Sequence, residues 1–324
     1  MATPTAEISP GPTAAALPPP SRFGDRAFRG VTLLAASAIG LLFLLVTYLL
    51  LRGSHLSLTK FGWKFLVASS WDPVTEEFGA WPFIYGTIVS SVIALLIAVP
   101  LSIGTAIYLT DLAPRWLRQP VTSIIEMLAA VPSVIWGLWG IFVMVPWLRD
   151  HAFPLLKTHL GFLPLFQGPI YGVSMLAGGI IIAIMILPIV TSVSREILRA
   201  VPDLQREAAY GLGATRWEVT RIAVLSYARR GLMGAAVLGL GRALGETMAV
   251  TMVIGNRPEI SKSLFAPGYT LASVIANEFT EATTDVYLHA LFELGLVLMG
   301  VTILVNILAL LLIKTVETPG SRRA

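Results

Sequence analysis

Apolar residues along the chain gather into six long blocks separated by polar segments, at about 30–51, 82–109, 121–147, 172–193, 231–254 and 288–313. A helix needs about 20 apolar residues to cross the hydrocarbon layer of a bilayer, and each block supplies them. The pattern predicts an all-α, polytopic membrane helical bundle with six transmembrane helices. Pro100, Pro132 and Pro188 fall inside blocks and predict kinks, with the freed carbonyls satisfied by neighbouring helices. No internal repeat is evident, and no inverted pair of broken helices is expected. Residues 1–28 read as a disordered tail, 29–81 as the first transmembrane helix with an outer loop, 82–314 as the transmembrane core, and 315–324 as a second tail.

One polar interval has its own periodicity. SREILRAVPDLQREAAYGLGATRWEVTRIAVLSYARR (194–230) is charged, yet Leu, Ala and Val recur in it at helical spacing. Pro202 and Asp203 suit a helix start, and Gly211 and Gly213 suit its end. Thr215 followed by Glu218 makes a capping box that opens a second helix. Two short helices therefore meet at a glycine bend. A surface amphipathic helix on lipid headgroups is one reading of this interval. The small residues Ala208 and Ala209 favour another, in which a second protein approaches closely.

Composition sharpens the class. The chain of 324 residues is 55% hydrophobic and 13% charged, whereas an ordinary soluble domain is about a quarter charged. Mean hydropathy is +0.77. The chain has no cysteine, which excludes disulfides, thiolate metal sites and cysteine nucleophiles. Residues 1–21 are rich in Pro, Ala and Thr and lack the basic cluster of a cleavable signal, so the first apolar block is expected to act as the anchor. Placing the N-terminus inside puts fifteen of the 23 Lys and Arg on the inner side and seven outside, and leaves Arg242 within the membrane. That bias predicts cytoplasmic termini, with the basic residues setting orientation and not binding nucleic acid. Trp71, Trp81 and Trp147 are expected at the outer interface, as membrane anchors.

The chemistry is concentrated in GLGRALGETMAV (239–250), where Arg242 and Glu246 stand four residues apart near the middle of the fifth block. A charge at a helix centre costs about 2.5–3.5 kcal/mol on insertion scales, and an i,i+4 pair returns only about 0.2–0.5 kcal/mol in water. Stability accounts poorly for such a pair. One reading is a neutralised pair that fixes helix packing, supported by Gly239 and by Gly241 and Gly245 at the spacing for close helix approach. The other is an anion path, since a guanidinium offers five donors suited to an oxyanion. Glu126 and Glu293 read as interfacial or lightly buried, Asn306 as an interhelical hydrogen-bonding residue, and the four histidines as loop and interface residues without metal-ligand spacing. There is no GxxxxGK[ST] loop, so energy from ATP has to be borrowed. From the residues alone the reading ends at an anion permease.

EAAYGLG (207–213) resembles the EAA loop of the membrane subunits of ABC importers, with Glu207, Ala208, Ala209 and Gly213 at the family's spacing. Ser226 replaces that family's proline further along. EFGAWPFIYGT (77–87), AAVPSVIWGLWG (129–140) and GLGRALGETMAVTMVIGN (239–256) extend the resemblance to the PstC-type permeases of the phosphate-specific import system. The resemblance implies a type I ABC importer (MetI-like) fold in the cell membrane. It implies that residues 194–230 dock on a dimeric ATPase subunit (PstB type), and that Arg242 and Glu246 attend the passage of inorganic phosphate. A second permease (PstA type) and an extracytoplasmic phosphate-binding protein (PstS type) complete the implied system. This chain would bind no cofactor, ATP and Mg belonging to the ATPase. The rival readings are a permease of the same architecture for sulfate or molybdate, a proton-coupled secondary transporter using Arg242 and Glu246 as a relay, and a scaffold without transport.

Overall fold

A computed structural model describes residues 22–315. The tails expected at 1–28 and 315–324 thus lie mostly outside the described residues, but the described chain begins in a helix at Arg22 and ends in one at Thr315. Two compact units divide at Leu49/Leu50. The first consists of the greater part of one helix, Arg22–Gly53, whose apolar side chains are exposed all round, as a lipid-facing span requires.

Within the second unit, Trp81–Leu112, Met175–Arg199 and Asp285–Thr315 are each long and apolar enough to cross a membrane. Two bent helix pairs are, taken together, each long and apolar enough to make one further span. Arg115–Ala130 and Ser133–Leu160 meet at 95°, and Arg216–Leu244 and Met248–Ile254 at 67°. The kink expected at Pro132 is a full break, and the fifth helix, expected to be continuous, is broken as well. At the first break the cause is Pro132, which disfavours the α conformation in the residue before it. Val131 is extended (φ −65°, ψ 126°), and the second half starts anew at Ser133. Pro100 and Pro188, by contrast, stay inside unbroken helices. Beside Pro188, Ser102 Oγ donates to the Leu187 carbonyl at 3.0 Å, linking the second and fourth spans.

The fourth span forms the centre of this unit. Ile181, Ile182 and Ile186 are buried with Val250, Val253, Ile254, Phe153 and Phe265. A serine opens this span: Ser174 Oγ accepts from the Ala177 N–H at 3.2 Å, the usual way an N-cap satisfies an orphan donor. Glycines set the close approaches. A Cβ on Gly137 would collide with the Met252 sulfur and crowd Ala249, so the second halves of the two bent spans lie directly against each other. Gly239 approaches Val190 in the same way. Gly241 has open space around it and Gly245 meets only its own helix turn, so the expected close approach at this glycine pair is not made among the described residues.

The segment before the second span carries a two-stranded hairpin, Trp71–Asp72 with Glu77–Phe78. Trp71 packs edge-on against Phe78 and Phe83 with centroids 4.8 and 4.9 Å away. Its Nε1 donates to Glu278 Oε2 at 2.7 Å, and the Tyr287 hydroxyl donates to the same oxygen at 2.6 Å. Trp71 is therefore the hub of a packed aromatic cluster and not a membrane anchor, whereas Trp81 and Trp147 remain exposed. Glu293 is also deeper than expected: it is 3% exposed, and no hydrogen bond reaches its Oε2. Glu126, in contrast, is exposed and lies 3.8 Å from the buried Arg195.

Candidate functional site

Arg242 occupies the last turn of the helix Leu225–Leu244, and Glu246 lies in the three-residue break before Met248–Ile254. The pair does not sit on one continuous helix as expected. Glycine at 245 is a poor helix former, and the carboxylate next to it offers the freed backbone donors another acceptor. Glu246 lies near the N–H groups of Thr247 and Ala249 and the Ser133 hydroxyl, which favour its charged form. It thus stands at the start of the second half of both bent spans, where backbone N–H groups favour negative charge.

The two side chains differ sharply in exposure. The Arg242 Nη2 is 3.8 Å from Glu246 Oε2, with the arginine side chain 44% exposed and the glutamate 7%. This is an ion pair without a close hydrogen bond, because 3.8 Å exceeds hydrogen-bonding distance. The guanidinium opens onto a groove of about 480 Å³ lined by Gly234, Val237, Leu238, Gly241 and Asn306. Asn306 makes no hydrogen bond among the described residues, so the expected interhelical bond is not formed within this chain. A buried, well-supported carboxylate and a half-free arginine together make a cation held ready at the edge of an open face.

The second set of candidate residues lies on a separate short helix, Asp203–Gly211. Glu207 and Ala208 are exposed, and Ala209 is half-buried. Gly213, two residues past its end, has φ +83°, a left-handed conformation that glycine adopts without cost. The capping box is formed: Thr215 Oγ1 accepts from the Glu218 N–H, and the Glu218 carboxylate accepts from the Thr215 N–H at 2.8 Å. Leu204, Tyr210, Leu212 and Trp217 expose large apolar side chains around this bend, Leu212 being 90% exposed. An apolar surface of this kind among charges marks an interaction site.

Arg242 and the short helix are not brought together. The short helix precedes the helical segment Arg216–Leu244, and Arg242 lies near the far end of that segment, about 39 Å along it from Arg216 at 1.5 Å per residue. Sequence reading missed what fastens the short helix. Arg206 Nη1 lies 2.7 Å from Asp111 Oδ1, with side chains only 21% and 11% exposed. Thr220 Oγ1 donates to Asp111 Oδ2 at 3.2 Å, and Arg206 Nη2 donates to the Leu198 carbonyl at 3.0 Å. The only signal in the sequence was an isolated Asp111 at the end of an apolar block, with nothing to indicate its partner 95 residues on.

A multi-span helical protein with a half-exposed arginine at a broken span, and an apolar docking bend at the other end of that span, belongs to the class of membrane permeases worked by another subunit. Residues 98–318 match the family of binding-protein-dependent transport system inner membrane components. The chain is 48% identical over 297 residues to the phosphate transport system permease protein PstC of Mesorhizobium japonicum, covering 90% of this chain and 91% of that one. It is 47% identical to the PstC of Haemophilus influenzae, with 90% and 94% covered, and 37% identical to the probable PstC of Methanocaldococcus jannaschii, with 89% and 93% covered. A solved structure of the MetNI methionine ABC transporter in an inward-facing conformation matches with TM-score 0.51 at 18% identity, over 74% of this chain and 94% of that one. That likeness identifies the fold, a type I ABC importer permease. The chain belongs to the family of binding-protein-dependent transport inner membrane components and, within it, to the PstC-type permeases. It is a multi-pass inner membrane subunit and not an enzyme; ATP hydrolysis in such a system resides in a separate subunit.

Proposed function

We propose that this chain forms half of the translocation pathway of an ATP-driven phosphate importer and that Arg242 meets phosphate within it. The observation that carries this reading is the half-exposed Arg242 guanidinium at the break of the fifth span, in a chain whose relatives are phosphate transport permeases. A second permease of PstA type covers the open face around Gly234, Gly241 and Arg242. The electrostatics call for it: a carboxylate about 6 Å from the anion repels it by roughly 3 kcal/mol per unit charge at an effective dielectric of 20. Arg242 and Glu246 are neutral together, so a divalent anion needs a further cation, supplied by an equivalent arginine across the interface. Glu246 keeps its backbone and Ser133 partners when Arg242 swings toward phosphate, which makes the release inexpensive.

Energy comes from ATP and Mg bound by a dimeric ATPase of PstB type, docked on Glu207, Ala208, Ala209 and the bend at Gly213. A phosphate-binding protein of PstS type delivers the anion from outside, and both termini are cytoplasmic. The test is reconstitution of the complex in proteoliposomes, with phosphate and sulfate uptake followed with and without ATP. Wild type takes up phosphate only with ATP, and Arg242→Gln loses that uptake while still assembling. Intact phosphate uptake by assembled Arg242→Gln sinks the assignment.

A further inference from the structure

Asp111 joins the end of the second span to two segments about a hundred residues further on, and through Arg206 to the end of the fourth span. It lies in the π-helical turn Tyr108–Leu112 that ends the second span, and π turns inside helices recur at functional sites. Its carboxylate holds Arg206 of the short helix at 2.7 Å and lies 3.2 Å from Thr220 Oγ1, whose proton it shares with the Arg216 carbonyl at 3.1 Å. Thr220 belongs to a second π-helical turn, Val219–Val224, which runs directly into the helix bearing Arg242. Arg206 is tied in addition to the Leu198 carbonyl at the end of the fourth span. Arg206 is turned inward while its neighbours Glu207 and Ala208 face out. One short helix thus presents the docking residues on one side and grips Asp111 on the other. A polar cavity of about 520 Å³ lies beside the junction, lined by Thr110, Arg115, Tyr210 and Arg216. It leaves the short helix room to move without breaking a packed core.

We propose that Asp111 is the positioning residue that couples the ATPase to the pathway, passing displacement of the short helix through Arg206 and Thr220 to the second and fifth spans. This rests on the importer reading above. A pair of charges held mostly out of water resists separation far more than a surface pair, so the junction moves as one body. The exposed apolar side chains around the bend carry no charge and form no ion pair of this kind.

The test uses the complete reconstituted complex and two rates: ATP hydrolysis stimulated by the loaded phosphate-binding protein, and phosphate uptake. Asp111→Asn keeps an acceptor for Arg206 but removes the charge. It is expected to co-purify with the ATPase at wild-type yield, to retain basal hydrolysis, and to lose stimulated hydrolysis and uptake at least tenfold. Asp111→Glu restores part of both, and the exchange Asp111→Arg with Arg206→Asp restores more than either single change. Should Asp111→Asn fail to assemble, Thr220→Val decides, since it leaves the ion pair intact: a several-fold loss of stimulation upholds the proposal, and wild-type stimulation overturns it. Wild-type coupling in assembled Asp111→Asn likewise overturns it. Failure of the wild-type complex to import phosphate on ATP would instead strike the functional reading itself.

Discussion

Arg242 and Glu246 face each other at 3.8 Å, yet one is half-exposed and the other almost fully enclosed. The asymmetry separates their roles. Glu246 is enclosed beside backbone donors at the start of two half-spans, and Arg242 depends on it only through charge. Glu246→Gln should therefore preserve the fold and reduce phosphate uptake less than Arg242→Gln. Loss of a hydrogen bond to a charged partner costs about 1.5–3 kcal/mol, so Arg242→Gln should lower uptake by roughly 10- to 150-fold. Glu246→Ala should be the more damaging to stability, by about 1–3 kcal/mol, because buried N–H groups lose their acceptor. Thermal unfolding of purified protein alongside uptake separates the two effects.

The glycines of the fifth and third spans give a second contrast. Gly137→Leu inserts atoms where Met252 and Ala249 already sit, and overpacking of this kind costs about 1–3 kcal/mol. The purified chain should unfold several degrees earlier. Gly241→Leu meets open space within the chain. It should leave unfolding of the chain alone unchanged and lower the yield of complex with the second permease in a pull-down. A Gly241→Leu complex formed at full yield would remove that face from the interface.

Docking on the ATPase is readable at the bend. Leu212→Glu and Trp217→Glu place charges on exposed apolar positions. Surface changes away from structural features shift stability by no more than about 0.5 kcal/mol. The chain should fold and reach the membrane as wild type does, while co-purification of the ATPase falls sharply. Gly213→Val adds a backbone cost of about 1–2 kcal/mol, because φ +83° is strained for a branched residue.

At the start of the fourth span, Ser174→Ala removes the acceptor for the Ala177 N–H in a buried setting. An N-cap loss of this kind costs about 0.5–2 kcal/mol. A lower unfolding midpoint with unchanged uptake per folded complex is the expected result, and Ser174→Asp should recover most of it.

Sequence alone determined the class of this protein. Six apolar blocks, a charged loop with a helical period and a glycine bend, and an arginine and glutamate in the fifth block are all local facts, and the helices, capping box and left-handed Gly213 follow from them. Its motifs reached the EAA loop because that loop is a contiguous stretch whose spacing survives without tertiary context. What only the tertiary structure decided is what each side chain meets. Pro132 was legible as a kink, but a break of 95° depended on the packing of the second half against Met248–Ile254. The Gly241–Gly245 spacing promised a close contact that Gly137 and Gly239 make instead. Trp71, Glu293 and Asp111 were misjudged or overlooked because burial and partners come from segments tens to hundreds of residues away. Hydrophobic period is a property of neighbours along the chain, whereas the exposure of Arg242, the enclosure of Glu246 and the grip of Asp111 on Arg206 arise only when distant helices are packed together.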